Sequence, residues 1–355
     1  MKRLAIVLYN LGGPDRLEAV EPFLYNLFMD PAIISAPLPV RWVLAKLISK
    51  RRVRFAQEIY KHIGGKSPLL DQTNDQARAL ELVLRAQHAE VDVQAFVCMR
   101  YWHPMSDEVA QSVKAFGPDQ IIMLPLYPQF STTTTESSFI DWDRAAKTAG
   151  INVPTKRICC YPKDSGFVLA QVKLLKESLE KARKQAGGKS IRVLFSAHGL
   201  PKKIVDNKGD PYPDQVKQGA NQIVAEMKAL GVTLDDWLVS YQSRVGPLEW
   251  IGPSTEDEIR RAGTDGVGLV ILPIAFVSEH SETLVELDIE YKHLADQVGV
   301  TTYLRVPAVC THENFIDGLA KMVKSTLLQS QNLCPAGGTS RICPNNTRAC
   351  LADLP

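Results

Sequence analysis

The chain has 355 residues, of which 45% are hydrophobic and 23% are charged, and this composition excludes a mainly disordered protein. Lysine and arginine number 41 against 39 aspartate and glutamate, a formal charge of +2 that argues against a nucleic-acid binder by bulk charge. The longest apolar run, residues 266–277, is well short of the ~20 residues that cross a bilayer. The apolar stretch at residues 4–8 is interpreted as a first β-strand rather than a signal peptide, so we expect a cytoplasmic protein.

Short apolar runs alternate with amphipathic helical segments along the chain. The predicted strands are residues 4–8, 91–97, 121–124, 192–195, 237–241 and 269–272. The predicted helices include residues 74–89, 167–185, 214–230 and 313–328. This alternation is typical of a doubly wound α/β fold with parallel sheets.

Two pairs of matching segments indicate that this fold occurs twice. A strand runs into a Gly/Pro loop at residues 11–14 (LGGP) and again at residues 196–201 (SAHGLP), and a later strand of each half ends in Leu-Pro. The sequence therefore predicts two similar Rossmann-like domains followed by a C-terminal segment. The predicted bounds are residues 1–150, residues 151–312, and residues 313–355 for the last helix and a cysteine-rich tail. Ligands bind at the carboxyl ends of strands in such folds, so we expect the site in a cleft between the two domains.

The strongest chemical signal is the acidic segment that follows the apolar run 266–277. Glu279, Glu282, Glu286 and Glu290 are spaced 3, 4 and 4 residues apart, which would place them on one face of a helix. A solvated helix face is the ordinary explanation of such a stripe. This stripe begins at a predicted strand end, where sites form, so we expect it to pass protons or hard cations.

Two histidines lie at predicted strand ends in the second half. His198 belongs to the SAHGLP stretch, and His280 lies beside the acidic stripe. A neutral imidazole accepts a proton near pH 7 or binds a divalent metal, although a loop histidine can also simply cap the next helix. The matching loops of the first half contain no histidine, so we expect the second half to carry the chemistry and the first half to bind substrate.

The first half offers binding groups after two of its predicted strands. A hydroxyl-rich loop that contains Tyr127 and Ser131 provides donors for an anionic group and aromatic surface for a flat ligand. The alternative for this loop is a helix N-cap with a solvated threonine run. Arg100 also follows a strand, and it would pair either with a ligand carboxylate or with a carboxylate across the domains.

Residues 38–52 form a basic segment with apolar residues at helical spacing. These apolar residues are Val40, Val43, Leu44 and Leu47, with Trp42 as an interfacial residue. Such a helix lies on an anionic membrane, covers an apolar ligand, or packs on its own domain as an ordinary surface helix.

The seven cysteines are an odd number in a long chain, which argues against a disulfide framework. Cys334, Cys343 and Cys350 lie in the tail with a C-x8-C-x6-C spacing that is neither a tight zinc-finger nor a ferredoxin pattern. Zinc, an iron–sulfur cluster and free thiols all fit this spacing. A fourth ligand would come from a distant position, and Cys159-Cys160 is the candidate.

Taken together, these segments resemble the ferrochelatase family, whose enzymes insert Fe²⁺ into protoporphyrin IX to form protohaem. The resemblance runs from about residue 4 to residue 328. Its carriers are residues 11–14 (LGGP), 27–31 (LFMDP), 100–101 (RY), 126–131 (LYPQFS), 196–201 (SAHGLP), 241–247 (YQSRVGP) and 276–291.

The resemblance implies a role for each of these residues. His198 and Glu282 match the catalytic pair that also meets the Fe²⁺ substrate, with His280 beside them. Glu279, Glu286 and Glu290 would form the path for protons or metal. The expected porphyrin contacts are Arg100, Tyr127, Ser131 and Arg144. The membrane-facing lip is residues 38–52, which implies peripheral contact with the inner membrane surface. Whether His198 first accepts a proton or binds iron stays open, as does a homodimeric state.

The cysteine tail resembles that of family members with a 2Fe–2S cluster. The usual first-ligand position, near Ala170, is not a cysteine here. The implied ligands are therefore Cys334, Cys343, Cys350 and either Cys159 or Cys160. The cluster would be a structural staple, a dimer contact, or a sensor of redox state or nitric oxide.

Three other classes of protein compete with this interpretation. A chelatase for another metal or tetrapyrrole would keep the histidine and the acidic row. A carrier without catalysis would bind the ligand without turnover and would not need the Glu282 carboxylate. A nucleotide-binding dehydrogenase is poorly supported, because no loop has the G-x-G-x-x-G pattern and no P-loop is present.

Overall fold

A computed structural model describes residues 2–87, 90–234, 236–328 and 343 of the chain. The strands are β1 Lys2–Asn10, β2 Val91–Met99, β3 Gln120–Pro125, β4 Thr155–Arg157, β5 Ile191–His198, β6 Trp237–Gln242, β7 Gly268–Pro273 and β8 Tyr303–Arg305. The helices are α1 Val20–Met29, α2 Leu38–Lys61, α3 Leu69–Gln87, α4 Ser106–Phe116, α5 Thr135–Ala149, α6 Ser165–Gln185, α7 Lys202–Lys208, α8 Tyr212–Ala229, α9 Thr255–Asp265, α10 Tyr291–Gln297 and α11 Glu313–Leu328. A 3₁₀-helix, Leu17–Ala19, and a π-helix, Glu282–Glu290, complete the described elements.

The described chain divides into two compact units. The first contains residues 2–160 together with residues 319–328, and the second contains residues 161–318 together with Cys343. The division of the main chain falls after Cys160, whereas the sequence predicts a boundary after residue 150. The cysteine tail, apart from Cys343, lies outside the described residues.

Each unit contains a four-stranded parallel sheet with the same order of strands. The first sheet is β2-β1-β3-β4 and the second is β6-β5-β7-β8. The central strands are buried along almost their whole length, because helices cover both faces of a parallel sheet. The predicted α/β class and the likeness of the two halves are therefore confirmed.

The second sheet brings the ends of its strands to one edge. β5 pairs with β6 in a register that sets His198 against Gln242, and β7 lies on the other side of β5. The buried side chains of this sheet pack with those of α6 and α8, among them Phe195, Val216 and Leu175. This core therefore fixes the position of His198 at the end of β5.

Two strands and two helical segments differ from the elements predicted from the sequence. β4 and β8 are three-residue edge strands with polar residues, so they lack the apolar run that marks a buried strand. The acidic segment forms a π-helix over Glu282–Glu290, and the basic segment predicted at residues 38–52 extends to Lys61 as α2. No described helix combines the length and the hydropathy that a membrane crossing requires.

Candidate active site

The strand ends of the second sheet gather a cluster of polar side chains. β5 ends at His198, β6 ends at Gln242 and is followed by Ser243, and the chain after β7 leads into the π-helix with Glu282 and Glu286. All five residues belong to the second unit. Their meeting point agrees with the rule that sites in parallel sheets form at the carboxyl ends of strands.

The centre of this cluster is an ion pair between His198 and Glu282. Nδ1 of His198 lies 2.8 Å from Oε2 of Glu282. A carboxylate only accepts hydrogen bonds, so Nδ1 carries a proton, and Nε2 of the neutral ring keeps a free lone pair. The side chain of His198 remains 40% exposed and that of Glu282 26% exposed, so a substrate can reach the pair.

The two partners shift each other's pKa in opposite directions. Burial alone would raise the pKa of Glu282, but the charge and the hydrogen bond of His198 bring it down to about 2. Burial alone would lower the pKa of His198, but the Glu282 carboxylate outweighs it and raises that pKa. At neutral pH, Glu282 is therefore ionised and stabilises the protonated form of His198.

Glu286 is a second carboxylate close to the first. Its Oε1 accepts hydrogen bonds from the Ser243 backbone N–H at 2.8 Å and from the Tyr291 hydroxyl at 3.0 Å. Its Oε2 accepts from Gln242 Nε2 at 3.0 Å and from Ser243 Oγ at 2.5 Å. Burial and the charge of Glu282 raise the pKa of Glu286. Of the two carboxylates, Glu286 is therefore the one more ready to hold a proton.

Ser243 connects the two carboxylates. Its Oγ lies 3.3 Å from Oε2 of Glu282 as well as within hydrogen-bond distance of Glu286. Its backbone has a φ of 62°, in the left-handed region that a residue with a side chain rarely adopts. Such a conformation costs roughly 1–3 kcal/mol and persists where the surroundings hold it. Here it aims both the N–H and the hydroxyl of Ser243 at Glu286.

The π-helix determines which of the predicted acidic residues meet. Glu282 and Glu286 face Ser243 together, whereas Glu279 precedes the helix and pairs with Arg305 at 2.7 Å. Glu290 is exposed at the end of the π-helix. The structure therefore joins two of the four residues of the predicted stripe and separates the other two from them.

His280 lies at the start of the π-helix, and its Nδ1 accepts a hydrogen bond from the backbone N–H of Glu282 at 3.1 Å. Its ring packs edge-on against Phe276, with centroids 4.6 Å apart. Burial lowers the pKa of His280, which keeps the ring neutral at pH 7. His280 thus holds the first turn that carries Glu282.

Arg100 lies in a buried network of the first unit, directly after β2. Its guanidinium is 2.9 Å from Asp30 Oδ2 and donates to Ser137 Oγ at 2.7 Å. The Tyr101 hydroxyl donates to the same Asp30 oxygen at 2.8 Å, and Ser137 also bonds to it. Asp30 therefore fixes the direction of the Arg100 side chain.

The other three predicted porphyrin contacts occupy different surroundings in the first unit. Tyr127 is half-buried after β3, and burial raises the pKa of its hydroxyl. Ser131 is buried, with its Oγ 2.9 Å from that of Thr133. Arg144 lies on the exposed side of α5 and binds both oxygens of Asp107, at 2.9 and 2.8 Å.

The predicted lip residues are exposed on α2. Their exposed fractions range from 37% to 61%, and they are Val40, Trp42, Val43, Leu44 and Leu47. Lys46 lies over the Trp42 ring, 5.1 Å from its centroid. The helix therefore presents to solvent the apolar and basic side chains that the sequence predicts for it.

The predicted cluster ligands are described only in part. Cys159 and Cys160 are buried in the first unit, and Cys343 is buried in the second. Sγ of Cys343 accepts a hydrogen bond from Gln215 Nε2 at 3.1 Å. Cys334 and Cys350 lie outside the described residues, and within the described ranges no three metal-binding side chains converge.

Sequence reasoning did not assign roles to Gln242, Ser243, Tyr291 or Arg305. The first two stand in the YQSRVGP stretch at the end of a predicted strand, the same signal that identified His198. Tyr291 directly follows Glu290, the last residue of the acidic stripe. Arg305 lies on the edge strand β8, for which the sequence offered no signal.

The chain is similar to known proteins both in sequence and in fold. The family model described as Ferrochelatase matches residues 3–327. A protein of Phenylobacterium zucineum named ferrochelatase is 52% identical over 98% of this chain and 100% of its own length. A ferrochelatase of Pelagibacter ubique is 47% identical over 98% of this chain and 97% of its own. The solved structure of SirB from Bacillus subtilis with Fe³⁺ matches 92% of this chain and 96% of its own chain, with a TM-score of 0.50. Because the two sequences are only 13% identical, this match shows a similar fold and nothing more.

The opposed pKa shifts of His198 and Glu282 can be measured by NMR. We expect the His198 imidazole to titrate above 6.5 in the wild type, because Glu282 stabilises its charged form. Glu282→Gln removes that charge and leaves burial dominant, so the His198 pKa should fall below 6.5. Glu290→Gln, at the exposed end of the same helix, should leave the His198 pKa unchanged. An equal His198 pKa in the wild type and Glu282→Gln would contradict the pairing.

Proposed function

The chain belongs to the ferrochelatase family, whose enzymes insert Fe²⁺ into protoporphyrin, and from this membership we propose that His198 and Glu282 carry out the insertion. Metal insertion into the porphyrin, a step of haem biosynthesis, is the reaction of this chain. The observation that carries the assignment of the two residues is their 2.8 Å contact, which combines a reachable Nε2 lone pair with an ionised carboxylate.

The reaction needs a base because two pyrrole N–H protons leave as iron enters. Neutral His198 accepts such a proton at Nε2, and the Glu282 carboxylate stabilises the imidazolium that forms. His198 then returns to neutrality by giving its Nδ1 proton to Oε2 of Glu282. The raised pKa of His198 suits this role, since it strengthens the base near neutral pH.

The proton has an onward path through Ser243. Protonated Glu282 gives its proton to Ser243 Oγ, while the hydroxyl passes its own proton to Oε2 of Glu286. The path ends on the carboxylate whose pKa is raised, which leaves Glu282 ionised again. Glu290, farther along and exposed, is the proposed exit toward solvent.

The same face also presents ligands that suit the iron substrate. An imidazole nitrogen and carboxylate oxygens are donors that Fe²⁺ accepts. We therefore assign the approach of Fe²⁺ to His198 and Glu282. Arg100, Tyr127, Ser131 and Arg144 are the proposed porphyrin contacts, and stronger binding of the bent macrocycle than of the flat one would lower the barrier to insertion.

Loss of either member of the pair should stop metal insertion. We expect His198→Ala to abolish turnover while protoporphyrin still binds, and Glu282→Gln to lower turnover by roughly 10²–10⁴-fold, the usual worth of a positioned acid or base. The pure protein is incubated anaerobically with protoporphyrin and Fe²⁺, and the loss of free-base fluorescence is followed.

His293→Ala is the matched control for this experiment, since His293 is an exposed histidine of α10 in the same unit, with its Nε2 2.9 Å from Nε2 of Gln297. It should turn over at the wild-type rate. Normal turnover in His198→Ala would remove this residue from the mechanism. Binding without turnover in the wild type would instead favour a porphyrin carrier.

We also propose that α2 is the surface that meets the membrane, and that the enzyme works at the cytoplasmic face of the inner membrane. On the exposed face of α2, the first half of the helix carries Val43 and Leu47, and the second half carries Lys50 and Arg54. A row of two apolar residues followed by two basic residues suits a helix that enters the headgroup layer with its N-terminal end first, its basic side chains meeting lipid phosphates.

The double variant Val43→Ser/Leu47→Ser tests this surface. Each apolar side chain contributes roughly 1.5–3 kcal/mol when fully buried, so we expect at least a tenfold loss of binding to phosphatidylglycerol vesicles. The measurement is co-sedimentation with the vesicles. Leu82→Ser is the control, because Leu82 is 70% exposed on α3, outside the proposed surface. This variant should bind the vesicles as well as the wild type does. Equal binding of the double variant and the wild type would exclude α2 as the contact.

We further propose that Cys343 holds a 2Fe–2S cluster with Cys334, Cys350 and either Cys159 or Cys160. The support is the hydrogen bond that Gln215 donates to Sγ of Cys343, because N–H donors stabilise a ligating thiolate. A bound cluster would supply one-electron chemistry and cross-link the tail. No step of metal insertion is assigned to it.

Cys343→Ser should remove the visible absorption of the cluster and the bound iron and sulfide. Gln215→Leu should keep the cluster but shift its reduction potential, because the N–H donor to sulfur is lost. Cys98→Ser, at another buried thiol, serves as the control. A colourless wild type that contains zinc would overturn the cluster in favour of a zinc site.

A further inference from the structure

The π-helix is held from the side by two residues of the edge strand β8. The Tyr303 hydroxyl donates to the backbone carbonyl of Leu287 at 2.5 Å. Arg305 binds both carboxylate oxygens of Asp288, with Nε 2.7 Å from Oδ1 and Nη2 2.6 Å from Oδ2. The two fixed residues, Leu287 and Asp288, directly follow Glu286 in the chain.

Arg305 also reaches the segment before the π-helix. Its Nη1 lies 2.7 Å from Oε1 of Glu279, which accepts the Ala308 backbone N–H at 2.9 Å as well. The side chains of Arg305 and Glu279 are only 10% and 13% exposed, so solvent screens this contact weakly. One guanidinium therefore fixes the chain on both sides of the turn that carries Glu282.

A π-helix needs such fixing because it competes with an ordinary α-helix. Its bonds close over five residues, and it persists mostly as short segments at functional sites. If this segment became an α-helix, each later residue would rotate about the helix axis by a fraction of the ~100° that separates neighbouring residues. Glu286 would then leave Ser243 and Tyr291, the groups that now bond to it.

We propose that Tyr303 and Arg305 are positioning residues that hold the π-helix in the register that presents Glu286 to Ser243 and Glu282. They act on the reaction through Glu286 and touch no reacting atom. This inference rests on the proposed role of Glu286 as acceptor of the proton from Glu282. Two residues of a three-residue edge strand thus align the groups of the proton path.

Arg305→Lys and Tyr303→Phe are the variants that test this role. Lysine keeps the charge of Arg305 but cannot bind two carboxylates in a fork, and phenylalanine removes only the donor to Leu287. We expect kcat to fall by about 10–100-fold in Arg305→Lys, the effect of a misplacement of about 1 Å, with KM for protoporphyrin unchanged. Tyr303→Phe should fall in the same direction by less.

The double variant Arg305→Lys/Glu286→Gln separates positioning from general destabilisation. If Arg305 acts through Glu286, this variant should be no slower than Glu286→Gln alone. Arg192→Lys is the matched control, because Arg192 is an equally buried arginine that binds Asp236 and Asp265 and does not touch the π-helix. Its melting temperature should fall while kcat stays at the wild-type value.

Four results would overturn the proposal. Additive losses in the double variant would show that Arg305 acts independently of Glu286. Equal losses of kcat in Arg192→Lys and Arg305→Lys would show that the loss comes from lower stability of the protein and not from positioning of Glu286. Wild-type turnover in Glu286→Gln would overturn the proposed role of Glu286 itself, and with it this inference, whereas a slow Glu286→Gln with a normal Arg305→Lys would overturn the positioning role alone.

Discussion

The close approach of two carboxylates, Glu282 and Glu286, is the constraint on which the site depends. Two like charges that share one hydroxyl group repel each other, and burial makes the repulsion stronger. The protein resolves it unequally: His198 stabilises the charge of Glu282, while the pKa of Glu286 is raised. Proximity, burial and one cationic partner thus produce a charged group and a proton acceptor from two identical side chains.

The geometry that enforces this proximity comes from several parts of the second unit. β5 and β6 deliver His198 and Ser243 to the same edge of the sheet, and the π-helix brings the two glutamates to them. The left-handed φ of Ser243 is tolerated because both its N–H and its hydroxyl find the Glu286 carboxylate. Hydrogen bonds to a single side chain therefore offset the backbone strain.

The sequence predicted the sheets and the central pair but not the way in which the pair is held. Apolar runs mark the buried strands, and strand ends followed by His198 and Glu282 mark the site, because both signals are local. The π-helix was predicted as a regular helical stripe, since its spacing of acidic residues fits an α-helix equally well. Arg305 was missed because an edge strand has no apolar run and an arginine there is ordinary.

Equivalent positions in the two sheets carry residues with different roles. In the first, the residue after β2 is Arg100, and it donates to Ser137 of α5, the helix that follows β3. In the second, the residue after β6 is Ser243, and it donates to Glu286 of the π-helix that follows β7. In the first unit, Ser137 of the α-helix and Asp30 together hold an arginine that suits the binding of an anionic group. In the second unit, a π-helix adds the wider turn that sets two carboxylates near a histidine. A local change of helix type between the two similar units thus distinguishes the proposed binding half from the proposed catalytic half.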